Sequence, residues 1–443
     1  MRKAGRWCLP GGRTTRGSRP CAPMSWVLTM PARRTPRNCA WVRSVGRVSA
    51  ARSWHRKPPG GSLSSWGFGV LRVLWVTTKY GLMPSEVDMR GLRKLAPGPG
   101  HMKLVDVPDP EPGPGEVKIA VQAAGICGTD LHIAHGTYAS SPPVTLGHEF
   151  SGEVSAVGAD VADFEIGDRV MSEPMAAYCG RCLFCDRGQM NLCSERLSYG
   201  VNVNGGFAAS VVVRKGAIHR LPHNVDFVSG AMTEPLAVCV HALTERTKID
   251  GGQLVLVLGP GPVGLLAAML AKTHGATVVV AGTTQDQSRL DVARAVGVDL
   301  TVTVDEVDLA EQLDALSKGA GGADITIEAA GVARSVEAAF KNTRKGGTIV
   351  QLGLFDEPIA LDYSPVALRE LNVIGSFAQS WSSFEGALEL MAQKRVNVEA
   401  LVSAILPLNE WEQAFHRAEQ KDGAKIILTP GKRIKAFRVK DAE

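Results

Sequence analysis

The residues best suited to chemistry fall into two groups of metal-ligand types. In YCGRCLFCDRGQMNLC, Cys179, Cys182, Cys185 and Cys193 follow the spacing Cys-x2-Cys-x2-Cys-x7-Cys. Four thiolates satisfy tetrahedral zinc at about 2.3 Å, and short Cys-x2-Cys turns bring such ligands together. The expected product is a closed structural zinc site with no position left for substrate. Two disulfides are the bland alternative, disfavoured where no secretion signal is legible. An iron–sulfur cluster also fits the spacing, but such runs usually end in Cys-Pro, and here Asn191-Leu192 precedes the last cysteine.

The second group is dispersed. GICGTDLHIAHG carries Cys127, Thr129, Asp130 and His132, TLGHEFSG supplies His148 and Glu149, and AMTEPLAVCVHA supplies Glu234. A lone His or Glu is usually structural, so the signal is the set. One thiolate, one neutral imidazole and one carboxylate balance Zn²⁺ and leave a fourth position for water or an alcohol oxygen, whose pKa the metal lowers. The chemistry to expect is alcohol oxidation, or carbonyl reduction in reverse. Asp130 is placed to orient the cysteine loop by hydrogen bonding. Cys239 reads as a small buried cysteine at a domain junction, and His219, His223 and His241 as structural or exposed.

A third pattern points to a nucleotide. Gly259, Gly261 and Gly264 form GxGxxG between the strand-like LVLVL and the helix-like LLAAMLAKTHG. In that context glycines let a pyrophosphate approach the backbone, and the helix N-terminus stabilises its charge. The next strand ends in VVVAGTTQDQSRL, where Gly282, Thr283 and Thr284 occupy the place of the usual ribose-binding carboxylate. The two hydroxyls and Arg289 could bind a 2′-phosphate, which favours NADP over NAD; alternatively Asp286 makes the ribose contact from a longer loop.

These residues need elements to hold them. Val117, Ile119 and Val121 alternate with Lys118, Ala120 and Gln122, the period of a half-buried strand. Short β-like runs separated by glycine turns continue to about residue 235. After Gln253, apolar runs at Thr277 to Val280, Thr301 to Val304, Asp324 to Ile327 and Thr348 to Leu352 alternate with helical spacing such as Leu309, Leu313 and Leu316. The fold class is therefore α/β, with a parallel sheet covered on both faces. A last segment, with Phe384, Leu388 and Met391 at helical spacing, should pack back onto the first half.

The 443 residues are 45% hydrophobic and 21% charged, enough for two or more domains. Residues 1–88 hold 16 Lys and Arg against Glu86 and Asp88 and six of the eight Trp; the rest of the chain holds 33 basic and 42 acidic residues. That mildly acidic body gives no electrostatic reason to expect nucleic acid, and no run of about 18 apolar residues suggests a membrane span. The basic leader reads as upstream sequence ahead of a start at Met89, as an organelle-targeting peptide, or as a disordered arm.

Together and in this order, the motifs resemble the zinc-dependent medium-chain dehydrogenases, in the branch holding sorbitol (polyol) dehydrogenases and L-threonine 3-dehydrogenase, over about Met89 to Pro430. The resemblance implies, after the leader, a GroES-like mainly-β catalytic domain at 89–236, a Rossmann NAD(P)-binding domain at 237–375 and a C-terminal return at 376–443. It implies two zinc ions per chain, NAD or NADP, a small-molecule alcohol or carbonyl substrate, and a cytoplasmic homodimer or homotetramer. Cys127 and His148 match the catalytic zinc ligands. Glu234 matches the carboxylate of the open tetrahedral arrangement, with Glu149 exchanging or behind it. Thr129 and His132 match the proton relay to solvent; Pro262, Val263, Leu352, Gly353 and Leu354 match coenzyme-contacting positions. Polyol dehydrogenases carry an arginine in the segment matching GSFAQSW, where this chain has Ala378 and Gln379. CGTDLHI is spelled more like the threonine enzymes and EPLAVCVHA more like the polyol enzymes, so the implied substrate is a small polar molecule with a secondary hydroxyl. A non-catalytic nucleotide-binding protein and a zinc-free quinone reductase are the competing readings.

Overall fold

The alternating run at Val117 becomes the strand Glu116–Gly125, with Val117, Ile119 and Val121 buried. In this computed structural model, which describes residues 89–430, it is the axis of the first half. It pairs antiparallel with Glu149–Val157 and Ser210–Arg214, and the sheet extends through Arg169–Ser172 to Ile218–Arg220. Beneath it, Leu92, Ile119, Phe150 and Phe207 share one apolar core. The expectations for the basic leader lie outside the described residues.

The chain closes this sheet with its last strands. Lys425–Thr429 pairs antiparallel with Glu116–Gly125, and Val402–Pro407 runs parallel beside it. The helix Trp411–Glu419 covers that end, where Phe415 meets Phe207 edge-on at 6.3 Å.

Between these portions lies a six-stranded parallel sheet in the order Leu300–Thr303, Thr277–Gly282, Leu254–Leu258, Ala323–Glu328, Thr343–Gln351, Asn372–Gly375. Chain order reverses beside Leu254–Leu258, the topological switch point where such sheets bind ligands. The strand Leu254–Leu258 is apolar throughout because both faces are covered. Val255 and Val257 pack with Leu265, Leu266 and Leu270 of the helix Pro262–Thr273, while Leu254, Leu256 and Leu258 pack with Val336 and Phe340 of the helix Ala333–Asn342. Each such side chain contributes about 1.5–3 kcal/mol by burial.

Some expected elements shift. The helix at Leu309 ends at Asp314, leaving Leu316 in the following turn. The strand expected from Thr348 begins at Thr343, and its pairing with Ala323–Glu328 changes register between Ala323 and Ile325. Phe384, Leu388 and Met391 do form one buried face, on the helix Trp381–Ala392, whose N-terminus Ser380 caps. That face packs with Leu236 and Val240 in the core shared with the parallel sheet, and Phe384 stacks on His219 of the first sheet's strand Ile218–Arg220, so the segment packs back onto the first half as expected while also covering the second. Among the described residues no helix is long and apolar enough to cross a membrane.

Candidate active site and zinc sites

Strand pairing assembles the dispersed ligand set. Glu116–Gly125 runs out through Ile126 into Cys127, which sits extended at the N-cap of the helix Gly128–His135. Glu149 opens the neighbouring antiparallel strand and lies opposite Gly125, so His148 and Glu149 are delivered beside Cys127. The ligand atoms of Cys127, His148 and Glu149 all fall within 4.8 Å of one another. Asp130, fully buried, accepts the Cys127 N–H through Oδ2 at 2.9 Å, and its Oδ1 lies 3.6 Å from His148 Nδ1. It thus steadies both ligands, as expected for a carboxylate behind a metal site. Thr129 Oγ1 is 3.8 Å from Cys127 Sγ.

The electrostatics suit a cation. Burial lowers the His148 imidazolium, yet Asp130 and Cys127 hold it well above its ordinary pKa; burial likewise opposes the Lys425 ammonium, and Glu149 and Cys127 raise it. Lys425 reaches the site from the last strand and forms a buried ion pair with Glu149. A thiol, an imidazole and a carboxylate within one cavity form the mixed S, N, O donor set that zinc takes in open sites.

Glu234, in the first turn of the helix Thr233–Val240, lines the same cavity but stands outside the close trio. Burial pushes its carboxyl up to about 7, and it accepts a hydrogen bond from the side-chain amide of Gln379. The structure therefore groups Glu149, rather than Glu234, with Cys127 and His148. The cavity, about 180 Å³, is also lined by Thr129, Val263, Leu352, Leu354 and Arg196. It brings three of the expected coenzyme-contacting residues to the metal ligands.

The glycine motif has a steric cause. Gly259 adopts φ +100, open to glycine, and a Cβ at Gly264 would run into the Gly259 carbonyl. Gly261 caps the helix that begins at Pro262. Gly259, Gly282, Thr283 and Asp286 line a cavity of about 570 Å³ at the switch point. A second cleft, about 520 Å³, is lined by Cys127, His132, Pro262, Arg289 and Asp356. Lys421 lines both, and Cys127 joins the second cleft to the metal cavity. His132 stands in that cleft with Nδ1 2.9 Å from Asp356 Oδ1. Gly353 packs against Glu328, whose buried carboxylate accepts the Ala330 and Gly331 N–H groups at 2.9 Å each.

The proposed 2′-phosphate cluster does not converge. Thr283 gives its hydroxyl to Asp286 at 2.7 Å, and Thr284 donates its N–H to Asp305 at 3.0 Å and lines neither cavity. Arg289 donates to the Gly423 carbonyl at 2.8 Å, in the other cleft. The cause is the short helical turn Thr284–Asp286, which swings Asp286 inward, where Lys421 pairs with it at 2.9 Å.

The four cysteines are free thiols with ligand atoms within 4.8 Å of one another. Cys182 Sγ lies 3.5 Å and Cys179 Sγ 3.9 Å from Cys185 Sγ. A tetrahedron of thiolates at about 2.3 Å from zinc has edges of about 3.8 Å, so the cage fits that ion. The backbone N–H of Cys179 points at Cys193 Sγ at 3.4 Å and lowers its pKa.

Sequence reasoning misses Lys425, Lys421, Glu328 and Arg196, and it treats Gln379 only as a departure. Lys425, Lys421, Arg196 and Gln379 act through contacts distant along the chain, so no local spacing marks them, while Glu328 holds the turn that follows it, through the Ala330 and Gly331 N–H groups. Cys239 is a buried packing residue whose S–H meets the Val263 carbonyl at 3.3 Å. His219 is buried against Phe384 and pairs with Glu173 at 3.1 Å, and His241 pairs with Glu245 at 2.6 Å.

Comparison with known proteins gives one answer along the chain. Residues 113–223 match the alcohol dehydrogenase GroES-like domain, and residues 262–393 match the zinc-binding dehydrogenase family. A sorbitol dehydrogenase of Halalkalibacterium halodurans is 42% identical over 343 residues, 77% of this chain and 99% of that protein. A D-arabitol-phosphate dehydrogenase of Enterococcus avium is 37% identical over 77% of this chain and 97% of that protein. A Sinorhizobium meliloti structure described as a zinc-binding dehydrogenase bound to NADP superposes with a TM-score of 0.72 at 34% identity, covering 77% of this chain and 99% of that one.

Proposed function

The chain belongs to the zinc-dependent medium-chain dehydrogenase/reductase family, in its polyol dehydrogenase branch, and on that premise we propose that it oxidises a secondary hydroxyl of a polyol with NAD(P), using the Cys127, His148, Glu149 and Glu234 cavity. The observation that carries this is the convergence of Cys127, His148 and Glu149 within 4.8 Å in a cavity that Val263, Leu352 and Leu354 also line.

Zinc bound there supplies Lewis-acid polarisation of a substrate oxygen, and NAD(P) supplies the hydride acceptor. The chain's own part is positioning. Cys127 and His148 are preset by Asp130. Lys425 neutralises Glu149 and so limits repulsion between two carboxylates in one cavity. Gln379 orients Glu234. Val263, Leu352 and Leu354 give the cavity an apolar wall facing the ligand set. Thr129 stands at the inner end of a proton path and half-exposed His132 at its outer end, next to Asp356.

A division into a catalytic portion at 89–236, a coenzyme portion at 237–375 and a C-terminal return at 376–443 is part of the proposal. NADP is favoured by Gly282 at the strand end and by Lys421 in the same cavity, which neutralises Asp286. A homodimer or homotetramer is supported by the exposed Val373 on the edge strand Asn372–Gly375. A cytoplasmic location agrees with four cysteines held reduced for zinc.

The test is turnover. Zinc-loaded protein is assayed by nicotinamide absorbance with polyols, L-threonine and simple secondary alcohols. Oxidation of a polyol, lost in Cys127→Ser and His148→Ala, is expected; full turnover by the double variant contradicts the metal mechanism.

A further inference from the structure

Among the described residues lining the metal cavity, Arg196 is a cation with no part in holding the metal ligands or the coenzyme. It lines the cavity beside Tyr138, Phe377 and Glu234. Its guanidinium lies over the Phe377 ring, 5.4 Å from the centroid, and its buried Nε has no hydrogen-bond partner. Among the described residues, no carboxylate forms an ion pair with it; its neighbour Glu195 pairs outward with Arg181 at 3.2 Å. A half-buried arginine with no hydrogen-bonded anion keeps unused donors in the cavity, and a ligand oxyanion would satisfy them.

Its placement is built rather than accidental. Arg196 follows Cys193, the last thiol of the cage, by three residues, and its N–H donates to the Cys193 carbonyl at 3.1 Å. From the same cage lobe, Asn191 donates to the Phe377 carbonyl at 2.9 Å. The cage therefore fixes both the arginine and the ring it stacks on. A guanidinium set over that ring still offers its planar fork, which can meet an oxyanion with two parallel hydrogen bonds.

We propose that Arg196 binds an oxyanion on the substrate, a phosphate monoester or a carboxylate remote from the reacting carbinol, so that this enzyme acts on acidic polyols. The inference rests on the polyol dehydrogenase reading and names its substrate class. The anion is unchanged in the reaction: the carbinol carbon loses a hydride to NAD(P)⁺, its hydroxyl proton goes to solvent, and a ketone remains.

The test compares kcat/KM for a pentitol, the same pentitol carrying a terminal phosphate, and an aldonate of equal length, using the zinc-loaded full chain. The acidic substrates are expected to exceed the neutral pentitol by at least about 30-fold, the scale of a desolvated charge pair, and whichever of the two leads identifies the anion. In Arg196→Gln that ratio collapses towards one, and Arg196→Lys restores part of it. Zinc content of two per chain in each variant verifies the fold. As a readout besides activity, inorganic phosphate binds wild type more tightly than Arg196→Gln in calorimetry. Equal use of neutral and acidic pentitols, or a ratio unmoved by Arg196→Gln, overturns the proposal while leaving the polyol reading intact. Failure to oxidise any polyol, neutral or acidic, overturns both.

Discussion

The thiolate cage and the open site use related ligands but are assembled in opposite ways. The cage takes four cysteines from Cys179 to Cys193, a single loop whose turns suffice to bring the sulfurs within 4.8 Å. The open site draws Cys127 from one strand end, His148 and Glu149 from its partner, Lys425 from the last strand and Glu234 from a helix backed by Gln379. A closed site needs only local spacing because it performs no chemistry. An open site must present a free position to substrate and coenzyme, so its ligands come from elements that wall a cavity. The two are linked in one direction, since the cage anchors Arg196 and, through Asn191, the Phe377 loop.

The contrast is broken most severely at the open site. Cys127→Ser and His148→Ala should each lower kcat/KM by at least about 10³-fold, the equivalent of the several kcal/mol that a metal supplies, while thermal unfolding changes little. If either variant keeps most of its activity, the two sites are not functionally distinct. Opening the cage with Cys193→Ser should do the reverse: stability falls by at least about 3 kcal/mol, or roughly 6–12 °C in Tm, and activity declines through loss of order at Arg196. A Tm equal to that of wild type would show that the cage carries no metal.

Finer substitutions sharpen the division. Gln379→Leu leaves Glu234 without its donor and should cost about 10- to 100-fold in kcat, as loss of support behind a metal site usually does, with both zinc ions retained. Kinetics matching wild type would remove Glu234 from the machinery. The smallest effect belongs to the coenzyme side. Lys421→Ala frees Asp286 to face the ribose and should shift coenzyme preference from NADP towards NAD by about tenfold, one hydrogen-bonded charge pair. An unchanged ratio of the two coenzymes would place Lys421 outside coenzyme recognition.

Much of the fold and both metal sites are legible in the amino-acid order itself. The cage follows from Cys-x2-Cys turns, and the nucleotide site from glycines between a strand and a helix. Cys127, His148, Glu149 and Glu234 stand out as a set with Glu234 as the expected third ligand, and only the register opposing Gly125 to Glu149 brings Glu149 to the trio instead. What stays hidden depends on tertiary contact. Lys425 reads as an ordinary strand residue until the last strand docks on Glu116–Gly125, and Arg196 as one more basic loop residue until the cage turns it inward. Arg289 falls away from the coenzyme cluster expected of it because a helical turn after Gly282 redirects the chain, turning Asp286 rather than Arg289 towards Thr283.

The central claim is that hydride chemistry occurs at a second, incompletely ligated zinc. Elemental analysis coupled to activity tests it most directly. Active wild type should hold two zinc ions per chain, and the Cys127→Ser, His148→Ala double variant should hold one, in the cage, and be inactive. Full activity in protein containing only the cage ion would contradict the account.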